Sequence, residues 1–427
     1  MATSAFARLP GFRDFPPEDL ALRSHIQEAW RRVSRRYGFL EYDGPPLEPL
    51  ELYVEKSGAE IAGQLYAFTD KGGREVAMRP EMTPSLARIL GDRSRGMSKP
   101  IRWFAMPQLF RYERQQRGRL REHFQWNADI VGEDDVAADA EVLAVAIDGL
   151  RELGLTAADF RARVSDRRLL REVLRAQGVT EDRLAAAFGI IDKLERMPRD
   201  KARAALVTDA GLGAAEADTL LDFFDSADIA AVQTRFGDRD EVGVELERLK
   251  QYVAALTAMQ LGEYVEVDLR IVRGLAYYTG IVFELFDRQG ELRAICGGGR
   301  YDRLLELVGG EPLPAVGFGM GDVVLGELLA ERGLIPAYAR SLDYFVVSIS
   351  AEQRPEALRI AHALRDRGSS VAYSLKEQSV TKQLKAAARE GAREVLIVGP
   401  DELARGCVVA RNMGSGGERE IALSELS

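Results

Sequence analysis

Between Arg273 and Asp302 the chain reads RGLAYYTG, then an apolar-rich strand, then CGGGRYD. This stretch constrains the fold more than any other, because glycines at this density put backbone where side chains would otherwise stand. Any architecture the chain adopts must bring that bare backbone against something that fills the space. The accompanying side chains suggest what. Tyr277, Tyr278 and Tyr301 carry donor–acceptor hydroxyls on rigid aromatic bodies, and Arg273 carries a permanent planar cation suited to carboxylate or phosphate. Any one of these features alone is ordinary turn chemistry or core packing. Together in one hairpin-length segment, with the glycines read as a turn, they predict the floor of a small-molecule pocket.

A chain of 427 residues exceeds one typical core and suggests two or three domains. No apolar run approaches the ~18 residues of a membrane span, and MATSAFARLPGFRDF lacks a signal-peptide pattern, so a cytoplasmic protein without a membrane partner is expected. Cys296 and Cys407 lie far apart and His25, His123 and His362 are scattered, which supports neither a disulfide framework nor zinc. A net charge of -9 argues against a protein that coats nucleic acid nonspecifically. It leaves room for a local basic footprint, since charges farther apart than about 8 Å are largely screened at physiological salt.

Pro16-Pro17-Glu18-Asp19 opens a helix whose apolar face is Leu22, Ile26, Trp30, Val33 and Tyr37, with Gly38 as its stop. Phe39 to Glu48 reads as extended chain broken by Gly44-Pro45-Pro46, at an edge or interface. Glu75 to Met78 is a short strand, followed through Arg79-Pro80-Glu81-Met82-Thr83 by a helix from about Pro84 to Leu90. From Ile101 to Val131 two strands flank the charged loop RYERQQRGRLRE. In the second strand Phe124, Trp126, Ala128 and Ile130 alternate with Gln125, Asn127 and Asp129, so period two puts the three polar side chains on one sheet face. That face is either solvated or a recognition surface for a small polar ligand. The arginines of the loop, Arg111, Arg114, Arg117, Arg119 and Arg121, are likewise either a solvated charge run or a phosphate or nucleic-acid contact.

Residues 136 to 160 read as a helix and a turn, and about 165 to 260 as a helical module inserted into a strand-rich domain, with strands resuming near Tyr264. The small residues of Val316 to Gly321, just before a helix, imply close strand–helix packing. A polar hinge from Pro336 to Ser341 leads to a final α/β unit of alternating strands and helices.

These pieces, in this order and over nearly the whole chain, resemble the histidyl-tRNA synthetases, a class II aminoacyl-tRNA synthetase family. YGFLEYDGPPLEPLELY resembles the family's dimer-interface motif, LFRYERQQRGRLREHFQWNADIVG its second motif, and RGLAYYTG with CGGGRYD its histidine-specific segments. The resemblance implies an α+β fold: an antiparallel class II sheet with flanking helices in residues 1–335, an inserted helical domain at about 165–260, and an anticodon-binding-like α/β domain in residues 342–427. It also implies a homodimer that activates L-histidine with ATP and Mg²⁺ and passes it to the 3′ end of histidine tRNA, with no zinc and no prosthetic group.

By the same resemblance, Glu81, Thr83, Gln125, Asp129, Tyr277, Tyr278 and Tyr301 would bind histidine. Arg111, Glu113 and Arg119 would bind ATP, Arg111 and Arg273 would flank the reacting phosphorus, and Arg114 and Gln116 would contact tRNA. The amino acid carboxylate is itself the nucleophile in adenylate formation, so the protein's contribution is alignment and charge stabilisation. Two positions depart from the family pattern. Ala276 stands where relatives commonly have Asp, and Val324 stands where the third class II motif supplies an Arg to the γ-phosphate. Arg332, eight residues later and about 12 Å along a helix, is a poor substitute. These departures keep a second reading open, a non-catalytic histidine-binding paralog like the regulatory subunit of ATP phosphoribosyltransferase.

Overall fold

The structure is a computed structural model, and it describes residues 7–54, 63–114, 116–225, 228–273, 277–290, 292–307 and 309–426. The chain divides into two compact units, residues 1–335 and 336–427.

The first unit is built on one sheet. Six strands run antiparallel side by side: Ile101–Ala105, Glu122–Val131, Ala315–Gly321, Cys296–Arg300, Ile281–Asp287 and Phe160–Asp166. Leu40–Glu41 and Val265–Val267 extend it in parallel at the two edges. Period two in the strand Glu122–Val131 sends Trp126, Ala128 and Ile130 into the main core. Two helices cover that face. Pro17–Arg36 begins on proline with Glu18 and Asp19 in its first turn, and the chain turns away at Gly38 with φ +75. It buries Ile26, Ala29, Trp30 and Val33, with Trp30 stacked on Trp126 at 5.9 Å between ring centroids. Val136–Arg151 is capped by the Asp135 carboxylate, which accepts from the Ala137 N–H at 2.8 Å.

Four sequence expectations are corrected. The glycines of CGGGRYD form no turn; Cys296–Arg300 is a buried strand in the middle of the sheet. Phe160–Asp166, between the turn expected to end near 160 and the helical module expected from about 165, is also a strand, and its alternation of Phe160, Ala162 and Val164 with Arg161, Arg163 and Ser165 is the period-two signal. The first strand of the charged hairpin is broken at Pro107 into Ile101–Ala105 and Gln108–Phe110, since proline offers no N–H to a ladder. The last strand, Glu418–Ala422, closes the C-terminal sheet and was not expected at all.

Between the strands Phe160–Asp166 and Val265–Val267 lies a run of helices, among them Arg167–Ala176, Leu184–Ile191, Arg199–Thr208, Ala214–Phe224, Ile229–Phe236 and Asp240–Ala258. The buried pair of Arg300 with Asp139, 2.5 Å apart, ties the glycine-rich strand to the helix Val136–Arg151.

In the second unit the strands lie in the order Val371–Tyr373, Leu342–Ser348, Ala392–Val398, Cys407–Asn412, Glu418–Ala422, the first three parallel. Val346, Leu396 and Val398 pack on the helix Arg354–Asp366, while Phe345, Val347 and Val395 pack on Val380–Arg389. Helices on both faces explain the continuous apolar runs Tyr344–Val347 and Val395–Val398 in these strands. Among the described residues, no helix is long and apolar enough to cross a membrane.

Candidate active site

The opposite face of the first sheet, where Ile101, Val131 and Val282 pack with Leu86 and Leu90 of the helix Thr83–Arg93, carries two cross-strand rows set by register. One row runs Arg163, Glu284, Gly297, Gly319, Asn127, and the next runs Ser165, Val282, Gly299, Gly317, Asp129. In the first row the glycines lie between Glu284 and Asn127, in the second between Val282 and Asp129, and they make the floor bare. A Cβ on Gly319 would stand 2.7 Å from the Gln125 carboxamide carbon. One on Gly317 would overlap the Asp129 carboxylate, and one on Gly297 would overlap the Arg273 guanidinium. The small residues of Val316 to Gly321 therefore make room for side chains on the pocket side, where the sequence suggested strand–helix packing.

Above this floor is a cavity of about 390 Å³. It is lined by Glu81, Thr83, Arg111, Glu113, Arg119, Gln125, Asp129, Arg273, Tyr277, Tyr278 and Tyr301, which are the residues singled out for histidine, ATP and the reacting phosphorus. They come from separate elements. Glu81 and Thr83 sit at the start of the helix Thr83–Arg93, Gln125 and Asp129 project from one strand, and Tyr301 follows the glycine-rich strand.

Part of the cavity lining is aromatic and acidic. Tyr301 donates to Asp129, and Tyr277 donates to Glu81 at 3.3 Å. The rings of Tyr277 and Tyr278 are 5.0 Å apart, and Tyr301 meets Tyr277 edge-on at 6.0 Å. Burial raises all three phenols above their ordinary range, so they stay donors at neutral pH. Burial also pushes the Asp129 carboxyl up to about 7, against the opposing effect of the Tyr301 hydrogen bond. Such a lining offers hydroxyls and a titratable acceptor to a ligand that carries N–H groups.

Arginines line the same cavity and are not set apart from these groups, the Arg273 guanidinium lying 5.7 Å from the Tyr278 ring centroid. Arg111 donates through Nε to the Pro80 carbonyl at 2.9 Å, which fixes it beside Glu81. Arg119 pairs with Glu113. Arg273 has φ +63, a left-handed backbone uncommon for a side chain of this size, and donates from Nη1 to Glu284 at 2.6 Å. Burial lowers the Arg273 pKa, but Tyr278 and Glu284 outweigh it and keep the guanidinium above its ordinary value. Arg111, Arg119 and Arg273 together present three guanidiniums that suit a polyphosphate.

Glu284, Asn127 and Arg163 line the same cavity and were not singled out as site residues. Asn127 was visible in the alternation of its strand, whereas Glu284 and Arg163 become neighbours only through register. Arg114 and Gln116 do not line the cavity; both are exposed on the loop, where Gln116 accepts from Arg293. Val324 is buried at the start of the helix Asp322–Glu331, beneath Gly118 of that loop. Arg332 is tied to Asp159 at 3.0 Å and Asp287 at 2.6 Å and does not line the cavity. Ala276 lies outside the described residues. Among the described residues, no cluster of three or more His, Cys, Asp or Glu is arranged to hold a metal ion.

The histidyl-tRNA synthetase family model matches residues 11–321, and an anticodon binding domain model matches residues 343–427. A histidine–tRNA ligase from Opitutus terrae is 45% identical, the alignment covering 100% of this chain and 98% of that protein. Among solved structures, a histidyl-tRNA synthetase from Nostoc superposes with a TM-score of 0.82 at 24% identity, covering 99% of this chain and 98% of that one. A Bacillus halodurans protein described as an ATP phosphoribosyltransferase regulatory subunit/histidyl-tRNA synthetase superposes with a TM-score of 0.76 at 22% identity, covering 93% and 99%. At these identities the two structures speak to the fold alone.

Proposed function

The chain belongs to the histidyl-tRNA synthetase family, and from that premise we propose how its cavity carries out the family's reaction. The protein is an aminoacyl-tRNA ligase that charges histidine tRNA with histidine. Its substrates are L-histidine, ATP with Mg²⁺ and the tRNA, and it works as a cytoplasmic homodimer. The observation that carries the assignment is one cavity that brings aromatic hydroxyls, carboxylates and arginines together over a floor of glycines.

Histidine binds among the aromatic groups. Asp129 and Tyr278 take the imidazole, Tyr301 orients Asp129, and Glu81, Thr83 and Gln125 hold the α-amino group with Tyr277 closing the side. The carboxylate then points toward the arginines. ATP lies along Arg111, Glu113 and Arg119, with Mg²⁺ offsetting triphosphate charge. The histidine carboxylate oxygen attacks the α-phosphorus, the bond from that phosphorus to the bridging oxygen breaks, and pyrophosphate leaves. Arg111 and Arg273 stabilise the charge that builds on the α-phosphate, and fixed donors of this kind are each worth about 3 kcal/mol. In the second step a hydroxyl of the terminal ribose attacks the adenylate carbonyl and AMP leaves. Arg114 and Gln116 contact the tRNA from the exposed loop.

Val324 favours the rival reading of a regulatory paralog that binds histidine and performs no chemistry. The purified protein should catalyse histidine-dependent exchange of pyrophosphate into ATP and charge histidine tRNA. Histidine binding without exchange would overturn the enzyme reading and establish the rival.

A further inference from the structure

The cavity has a further edge that the histidine and ATP assignments leave unused. Arg163 lines it from the sheet and Arg270 from the turn after the edge strand Val265–Val267, and Ile191, Asp192, Glu195 and Arg196 line it from the inserted helical stretch. Arg163 donates through Nε to the buried Asp268 at 2.9 Å, and Arg270 does the same at 2.9 Å. Two guanidiniums against one carboxylate leave one positive charge over. Glu195 offsets it, accepting from Arg163 Nη1 at 3.2 Å and lying 3.7 Å from Arg270. The partners differ in burial: the Arg163 side chain is 7% exposed and that of Glu195 is 47% exposed, on the short turn Leu194–Arg196. Water screens Glu195 and not the 4%-exposed Asp268, so of the two carboxylates Glu195 is the one that can leave for solvent once another anion takes its place.

A phosphodiester carries the same single charge and offers a guanidinium fork the same pair of oxygens as a carboxylate. On the function proposed above, the 3′ end of a polynucleotide must enter this cavity after the adenylate has formed. We propose that Glu195 is a placeholder: it holds Arg163 and Arg270 in the empty protein, and a phosphate near the 3′ end of the tRNA displaces it. The exchange also unties the Leu194–Arg196 turn from the sheet, so tRNA entry is reported to the inserted stretch.

The test uses the full-length chain with histidine tRNA and measures the tRNA KM for charging. Glu195→Gln keeps the shape and removes the competing charge, and the tRNA KM should fall about threefold, the scale of one half-exposed ion pair. Arg270→Gln should raise it roughly tenfold, as expected for one lost charged hydrogen bond, and should flatten the salt dependence of tRNA binding by about 0.7 in log–log slope. A simple structural clasp predicts the opposite sign for Glu195→Gln, so an unchanged or raised tRNA KM in that variant would overturn the placeholder. Pyrophosphate exchange by the unsubstituted protein without tRNA separates the two layers. Its absence removes the synthetase function, and its presence with an unmoved tRNA KM removes only the placeholder.

Discussion

Asp129 and Glu284 make the sharpest residue-level predictions. A carboxyl held at about 7 is mostly protonated at pH 6 and mostly ionised at pH 8. Because the folded state binds this proton more tightly than the unfolded chain, the group's contribution to stability is present at acid pH. It is lost as pH rises from about 4 through about 7. Ligand binding runs the other way, since the ionised carboxylate accepts an imidazole N–H far more strongly than the neutral acid does. Histidine affinity should therefore rise about tenfold between pH 6 and pH 8 through this group. Asp129→Asn should flatten that portion and leave only the ligand's own titration. Calorimetric titration of both proteins at the two pH values checks it, and identical pH slopes would remove Asp129 from the imidazole contact. Glu284 does not touch the proposed reacting atoms but accepts from Arg273 at 2.6 Å, which makes it a positioning residue. Glu284→Gln should lower the rate of adenylate formation about tenfold with histidine Kd little changed, the pattern of a guanidinium that is present but poorly aimed. A raised Kd at an unchanged rate would sink that assignment. Asp129 could be read from a strand that alternates polar and apolar, whereas Glu284 sits in IVFELFD as one acid among apolar residues, and only its alignment with Gly297 gives it meaning.

At the scale of elements, glycine-rich segments were legible as places of close approach but not as strands. Gly297, Gly298 and Gly299 look like a turn in sequence because glycine weakens an isolated strand. Here neighbours on both sides pay that cost, Ile281–Asp287 and Ala315–Gly321 supplying the ladder bonds. The strand Phe160–Asp166 went unread because it is followed at once by the helix Arg167–Ala176, whose N-cap is the strand's last residue, Asp166. Two substitutions test how this strand set is held. Gly317→Ala puts a methyl group into the position of the Asp129 carboxylate, so histidine affinity should fall at least ~100-fold, the scale of a few kcal/mol of overpacking. Arg300→Met leaves Asp139 buried without its cation, and should cost about 3–5 kcal/mol in denaturant unfolding of the first unit. A loss under ~1 kcal/mol would mean that the pair is no more than a surface-type bridge.

At the scale of the whole molecule, the hinge expected at Pro336 to Ser341 begins where the contacts divide the chain, between residues 335 and 336. A composition shift is visible in sequence because linkers are polar and carry proline, while the relation between units is written in no local pattern. The division bears on which step each unit serves. Every residue assigned to histidine and ATP falls within residues 1–335, and that unit holds its own core and its full sheet. On the proposed assignment, adenylate formation needs only those residues. Charging also needs the tRNA to be held and recognised, and residues 343–427 match the anticodon binding domain. A chain ending at Ile335 should then retain pyrophosphate exchange within about threefold of the full chain while its kcat/KM for tRNA charging falls at least ~100-fold, the difference being about 3 kcal/mol of lost binding. Circular dichroism and a cooperative melt establish that the truncated chain is folded before either rate is read. If the folded truncation charges tRNA as well as the full chain does, the second unit has no part in tRNA recognition. If it is folded but has lost exchange, the second unit supports the cavity, and the separation of steps along the chain is wrong.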